Sequence, residues 1–145
     1  MIFSMTATNK RRPMLVFDIC VSFLILLFAY AGLSKLMQFE TFKFQLGKSP
    51  LIPFNIRGAI AVFLPAGEIL ISLMLLTEKG RLPGLYISFF LLSFFTFYLF
   101  YIIHFSYYIP CSCGGILGSL SWTTHIYFNI FFIFISTAAI YLHEE

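Results

Sequence analysis

The sequence predicts an all-α fold, a membrane-spanning four-helix bundle with a short interfacial helix in its first outer link. Composition, run length and link chemistry lead there. Of the 145 residues, 60% are hydrophobic and 20% aromatic, while only 10% are charged, against about 25% charged in soluble domains. Four apolar runs, 14–33, 56–77, 82–105 and 122–142, each reach the ~20 residues a helix needs to cross a ~30 Å hydrocarbon core. They take up most of the chain and leave no room for a separate soluble domain, so residues 1–145 read as one membrane domain.

The links orient the runs. Lys10, Arg11 and Arg12 precede the first run, and Lys79 and Arg81 sit between the second and third. The positive-inside rule places both segments in the cytoplasm of a bacterial inner membrane, and an even number of spans returns the C-terminus to the same side. The first link carries Lys35, Lys43, Lys48 and Arg57, a weaker counter-bias, whereas the link 106–121 has no Lys or Arg and is expected to face outward. A basic start, an apolar stretch and Ala29-Tyr30-Ala31 also resemble a secretory signal with its cleavage site. Asp18 inside the stretch, and its continuation to Leu33, favour a retained first span.

In the first link, Leu36, Phe39 and Leu46 fall near one helical face with Glu40, Lys43 and Gln45 mostly elsewhere, as in a helix lying in the interface. Gly47, Ser49, Pro50 and Pro53 then end it. The tight link 78–81 makes the second and third spans antiparallel neighbours. The third span, "SFFLLSFFTFYLFYIIHFSYY", is rich enough in rings to stack a flat cofactor such as a quinone. The simpler expectation is that its phenylalanines face lipid while Tyr101, Tyr107 and Tyr108 form an interfacial belt. Small residues, among them Ala29, Gly32, Ala66, Gly67, Gly84 and Ser88, suit close helix contacts.

Cysteines and one carboxylate carry the candidate chemistry. Cys20 stands alone on its span and reads as a buried thiol. Cys111 and Cys113 lie in "IPCSCGGILG", in a link expected to face an oxidising compartment where neighbouring thiols pair or exchange. A bridge between residues two apart closes a very small ring and departs from relaxed disulfide geometry. Strained, accessible disulfides are the labile ones, and so short a loop removes little unfolded-state entropy, which makes stabilisation a poor reason for the bridge. Gly114, Gly115 and Gly118 keep side-chain bulk away from the sulfurs.

A metal site competes with this reading: His104 and His125, at the two ends of the same link, would add two imidazoles to two thiolates. That set suits zinc, or copper(I) with fewer ligands. Otherwise each His is an amphipathic ring anchored at the interface.

Glu68 sits mid-span in "FLPAGEILIS", where a charge costs at least ~2.5 kcal/mol and marks a functional site by default. A lone carboxyl there is expected to be protonated, with Ser93 and Thr96 as partners at similar depth; Pro65 loosens the helix beside it. It would serve either as a proton donor and acceptor for thiol or quinone redox steps or as a polar clasp between helices. Asp18, one turn from the cytoplasmic end, is expected to be hydrated or paired with Arg11 or Arg12. No Ser-His-Asp set, phosphate loop or nucleic-acid patch appears, and three cysteines are too few for a four-cysteine iron–sulfur site.

Taken together, "FAYAGLSKLMQFETFKFQL", "LPAGEILISLMLL" and "YYIPCSCGGILGSLSWTTHIYFN" resemble the MauE branch of the DoxX-like membrane proteins over nearly the whole chain. The resemblance implies a four-helix inner-membrane protein associated with redox processes. In methylamine utilisation it implies disulfide formation in a dehydrogenase subunit beside a thioredoxin-like partner. It marks Cys111 and Cys113 as the redox pair and Lys35 and Glu68 as motif positions. The expected function is therefore disulfide exchange with a thioredoxin-like or secreted thiol protein, with a membrane quinone as the candidate electron acceptor. A zinc or copper(I) binding protein and a non-catalytic scaffold subunit are the alternatives.

Overall fold

Each membrane crossing imposes an apolar helix of fixed length, because in hydrocarbon every backbone N–H and C=O must bond within its own segment. The computed structural model describes residues 2–47, 52–105 and 122–144, and among them no strand occurs. Among the described residues five helices follow one another: α1 (Ile2–Met37), α2 (Phe39–Gly47), α3 (Arg57–Leu76), α4 (Arg81–Phe105) and α5 (Trp122–Glu144), with a 3-10 turn, Phe54–Ile56, leading into α3. Four segments are long and apolar enough to cross a bilayer: Met14–Met37, Phe54–Leu76, Arg81–Phe105 and Thr123–Glu144. At 22 to 25 residues each, they supply roughly 33–38 Å of helix. The all-α, four-span class is thus the observed one, and α2 is the short helix expected in the first link.

The spans close into a ring in which α1 packs on α3, α3 on α4, α4 on α5, and α5 back on α1. The inward stripes explain the arrangement. On α3 the buried residues are Ala61, Pro65, Glu68, Ile71, Ser72 and Leu75, returning every three to four positions to one face. On α4 the stripe opens with Gly84, Leu85 and Ser88, while Phe90, Phe94 and Phe97 point out of the bundle. On α4 the small Gly84 and Ser88 go inward, where helices meet, and these bulky rings go outward. On α3, by contrast, Ala66 is exposed and a Cβ at Gly67 would meet nothing within 4 Å, so these two are not at the close helix contacts expected of them. Val21, Leu24, Phe28, Ile71, Leu75, Leu85, Leu92, Phe132 and Ala139 form the core.

The α3–α4 connection is as tight as its four residues demand. Thr77 Oγ1 donates to the Met74 carbonyl at 2.9 Å and accepts the Gly80 N–H at 3.1 Å. A Cβ on Gly80 would lie 2.6 Å from the Met74 carbonyl oxygen, so only glycine fits. The first helix begins earlier than its apolar run, at Ile2 rather than near residue 14, and it passes unbroken through Ala29–Ala31.

Candidate functional site

Among the described residues seven polar or charged side chains are buried, and the fold joins two of them, Lys35 and Glu68, as an ion pair. On α1, Gly32 lies against the turn of α3 that holds Pro65: a Cβ at position 32 would come within 2.7 Å of Ile69 Cγ1, 3.0 Å of the Pro65 carbonyl oxygen and 3.4 Å of Glu68 Cβ. Absence of a side chain lets the two backbones approach. Lys35 lies one helical turn further along the same face, and its Nζ donates to both carboxylate oxygens of Glu68, at 2.8 Å and 2.9 Å. Only 3% of Lys35 and 7% of Glu68 is exposed. Phe42 of α2, itself buried, lies over the ammonium with Nζ 5.9 Å from its ring centroid. Below the pair, Ser72 Oγ donates to the Ile25 carbonyl at 3.3 Å and continues the α1–α3 seam.

This corrects the expectation of a lone carboxyl partnered by Ser93 and Thr96. Both hydrogen bonds described for Glu68 go to Lys35, and Thr96 donates to its own helix at the Leu92 carbonyl. The reason is which neighbour Glu68 faces: it points toward α1, across the gap Gly32 opens, and α4 packs on another side of α3. Pro65, fully buried in the same stripe, leaves the Ala61 carbonyl without its usual helical donor. A bidentate pair shielded by a ring and two helices can do two things chemically. It can fix the α1–α3 geometry, and it can hold or release a proton away from bulk water.

The MauE family, described as "Methylamine utilisation protein MauE", matches residues 13–142. The chain belongs to the MauE family. No curated protein and no solved structure matches it significantly. The matched span contains both members of the buried pair together with Cys111 and Cys113.

In this MauE chain the other candidate residues lie apart from the pair. Cys111 and Cys113 fall outside the described residues. Cys20 is a free, half-buried thiol on α1. Among the described residues no group of three His, Cys, Asp or Glu side chains gathers as a metal site. His104 is exposed, stacked on Phe100 at 4.2 Å, and its Nδ1 lies 2.9 Å from the Phe100 carbonyl oxygen, a contact that requires Nδ1–H to donate. His125 is not the interfacial anchor expected of it: it is buried in the bundle with Asn129 one turn along the same face of α5. Asn129 Nδ2 has no hydrogen-bond partner among the described residues. Asp18 meets Arg81, 3.7 Å away at the start of α4; the side chains of Arg11 and Arg12 lie outside the described residues. What the sequence alone missed was the role of Lys35, since a lysine at the end of an apolar run resembles an ordinary interfacial cation.

Proposed function

We propose that this multi-pass MauE-family membrane protein exchanges disulfides, through Cys111 and Cys113, with a thioredoxin-like or secreted thiol protein on the outer side of a bacterial inner membrane. Maturation of a methylamine-utilisation enzyme is the setting the family description supports, and the likeness to DoxX-like proteins belongs to the same reading. The observation that carries the proposal is the Cys-Ser-Cys sequence in a link free of Lys and Arg, inside a chain that matches the family from residue 13 to 142. Both chain ends are then cytoplasmic.

In the oxidised chain a partner thiolate attacks Cys111, the Cys111–Cys113 bond breaks, and Cys113 leaves as a thiolate. The partner's second thiolate then attacks its own sulfur in the mixed disulfide. The products are an oxidised partner and two reduced cysteines, so two electrons have entered the pair. Glu68, held by Lys35, is the buried group suited to trade the accompanying protons.

Thiol trapping in intact cells with a membrane-impermeant maleimide, with and without prior reduction, tests this. The expected result is a pair that reacts only after reduction from outside and, for the reverse direction of the exchange, a mixed disulfide trapped when Cys111 of the Cys113→Ser protein attacks the disulfide of the oxidised partner and no Cys113 is present to release it. A pair that is reduced and shielded from the impermeant reagent overturns the proposal. Co-purification of zinc or copper(I) with reduced cysteines, lost on His125→Ala, would establish the metal-binding alternative in its place.

A further inference from the structure

A recess among the described residues lies at the α2 end of α3 and α4 and has a volume of about 730 Å³, within the roughly 300–1,000 Å³ of small-molecule sites. Its walls are Phe42 and Leu46 from α2, Ile52 and Ile56 from the segment leading into α3, Ile60 and Leu64 from α3, and a ladder of rings from α4. Seven of its thirteen lining residues are aromatic, two of them the phenols Tyr98 and Tyr101. Phe63, Phe94 and Phe97 form an exposed rim, so the recess opens sideways, where a bilayer would lie. Phe42 belongs to both places: it lines the recess and covers the ammonium of Lys35.

We propose that this recess binds the ring of a membrane quinone. An acyl chain packs on any smooth apolar surface, whereas walls of rings match a planar ring by offset and edge-to-face contact. Phenolic hydroxyls are also donors suited to carbonyl oxygens. Because α3 and α4 are antiparallel, the recess sits at the end of the bundle from which α4 leads into the link 106–121. The inference rests on the disulfide-exchange reading only for its purpose. Reoxidising the dithiol breaks two S–H bonds and forms one S–S bond, and the quinone takes the two electrons and two protons on its carbonyl oxygens to become a quinol. Binding itself requires no cysteine.

The test uses the full-length protein in phosphatidylcholine nanodiscs with a photoreactive azido-quinone as probe and decylubiquinone as competitor. Labelling is expected on α3 and α4 peptides, suppressed by decylubiquinone and unaffected by further phosphatidylcholine. Ile60→Trp, which fills the recess, is expected to raise the apparent Kd about tenfold or more, the change that accompanies loss of roughly 1.4 kcal/mol. Should that protein not fold by circular dichroism, Tyr98→Phe with Tyr101→Phe, which remove only the hydroxyls, are expected to weaken binding severalfold. Phe131→Trp, on the outer face of α5, is expected to bind normally. Labelling that no recess variant alters, or that lipid displaces as well as decylubiquinone does, overturns the proposal. The Cys111→Ser, Cys113→Ser double variant separates the two ideas: retained quinone binding without disulfide exchange leaves the recess assignment standing when the exchange reading fails.

Discussion

Among the described residues two ion pairs tie α1 to the α3–α4 hairpin, and they stand in opposite environments. At one end Lys35 grips both oxygens of Glu68 with side chains 2% and 9% exposed; at the other Arg81 lies 3.7 Å from a single oxygen of Asp18 with side chains 31% and 59% exposed. Arg81 also reaches the Leu75 carbonyl at 3.4 Å and lies over the Phe17 ring, so it has other anchors. Lys35 and Glu68 are each the other's described charged partner. Identical charge types therefore do different work: an exposed pair trades water for a partner at little gain, whereas a buried pair leaves an uncompensated charge in an apolar interior when either member is removed.

The sharpest way to break this contrast is to remove one buried partner. Lys35→Met or Glu68→Leu is expected to cost about 3–5 kcal/mol, read as a fall in the unfolding midpoint in detergent micelles. Together, Lys35→Met and Glu68→Leu are expected to recover most of that loss, since apolar side chains of similar size replace a buried pair with little penalty. A single-variant loss no larger than that of a surface pair would mean that water reaches the site. The double variant also separates clasp from chemistry: stable but inactive in disulfide exchange points to Glu68 as a proton site, stable and active to a structural clasp.

Next in size is Gly32→Ala. The new methyl meets Ile69 and the Pro65 carbonyl oxygen closer than van der Waals contact permits, and overpacking of this kind costs about 1–3 kcal/mol. Because the added methyl pushes α1 off α3, it is expected to lengthen the Lys35–Glu68 contact as well. Combining Gly32→Ala with the Lys35→Met/Glu68→Leu background is then expected to cost less than Gly32→Ala alone, a coupling that a double-mutant cycle reads directly.

How much of this was legible beforehand follows from what a bilayer constrains. The spans were legible because hydrocarbon thickness demands long apolar runs, and Glu68 was legible because an ionisable group mid-span is expensive. The start of α1 was not, since its first residues are polar enough to look like a flanking tail. The partner of Glu68 was not legible either. Which face of α3 meets α1 cannot be read from hydrophobic periodicity when lipid and neighbouring helix are equally apolar, and Gly32 is informative only once something is known to pack on it. His125 misled for the same reason: among Trp122 and Tyr127 it resembles an interfacial ring, yet the bundle buries it beside Asn129.

The smallest effect is expected at the exposed end. Asp18→Asn keeps the shape of the side chain and removes its charge, leaving Arg81 with the Leu75 carbonyl, the Phe17 ring and solvent. The expected cost is within about 1 kcal/mol. It should shrink further as salt is raised, because charges open to water are screened over about 10 Å at 0.1 M ionic strength. The loss from Lys35→Met should be insensitive to the same salt, since ions do not enter the α1–α3 seam. Unfolding of the two variants measured across a salt series therefore tests burial itself: parallel salt responses would place both pairs in contact with water and erase the distinction between the two ends of the bundle.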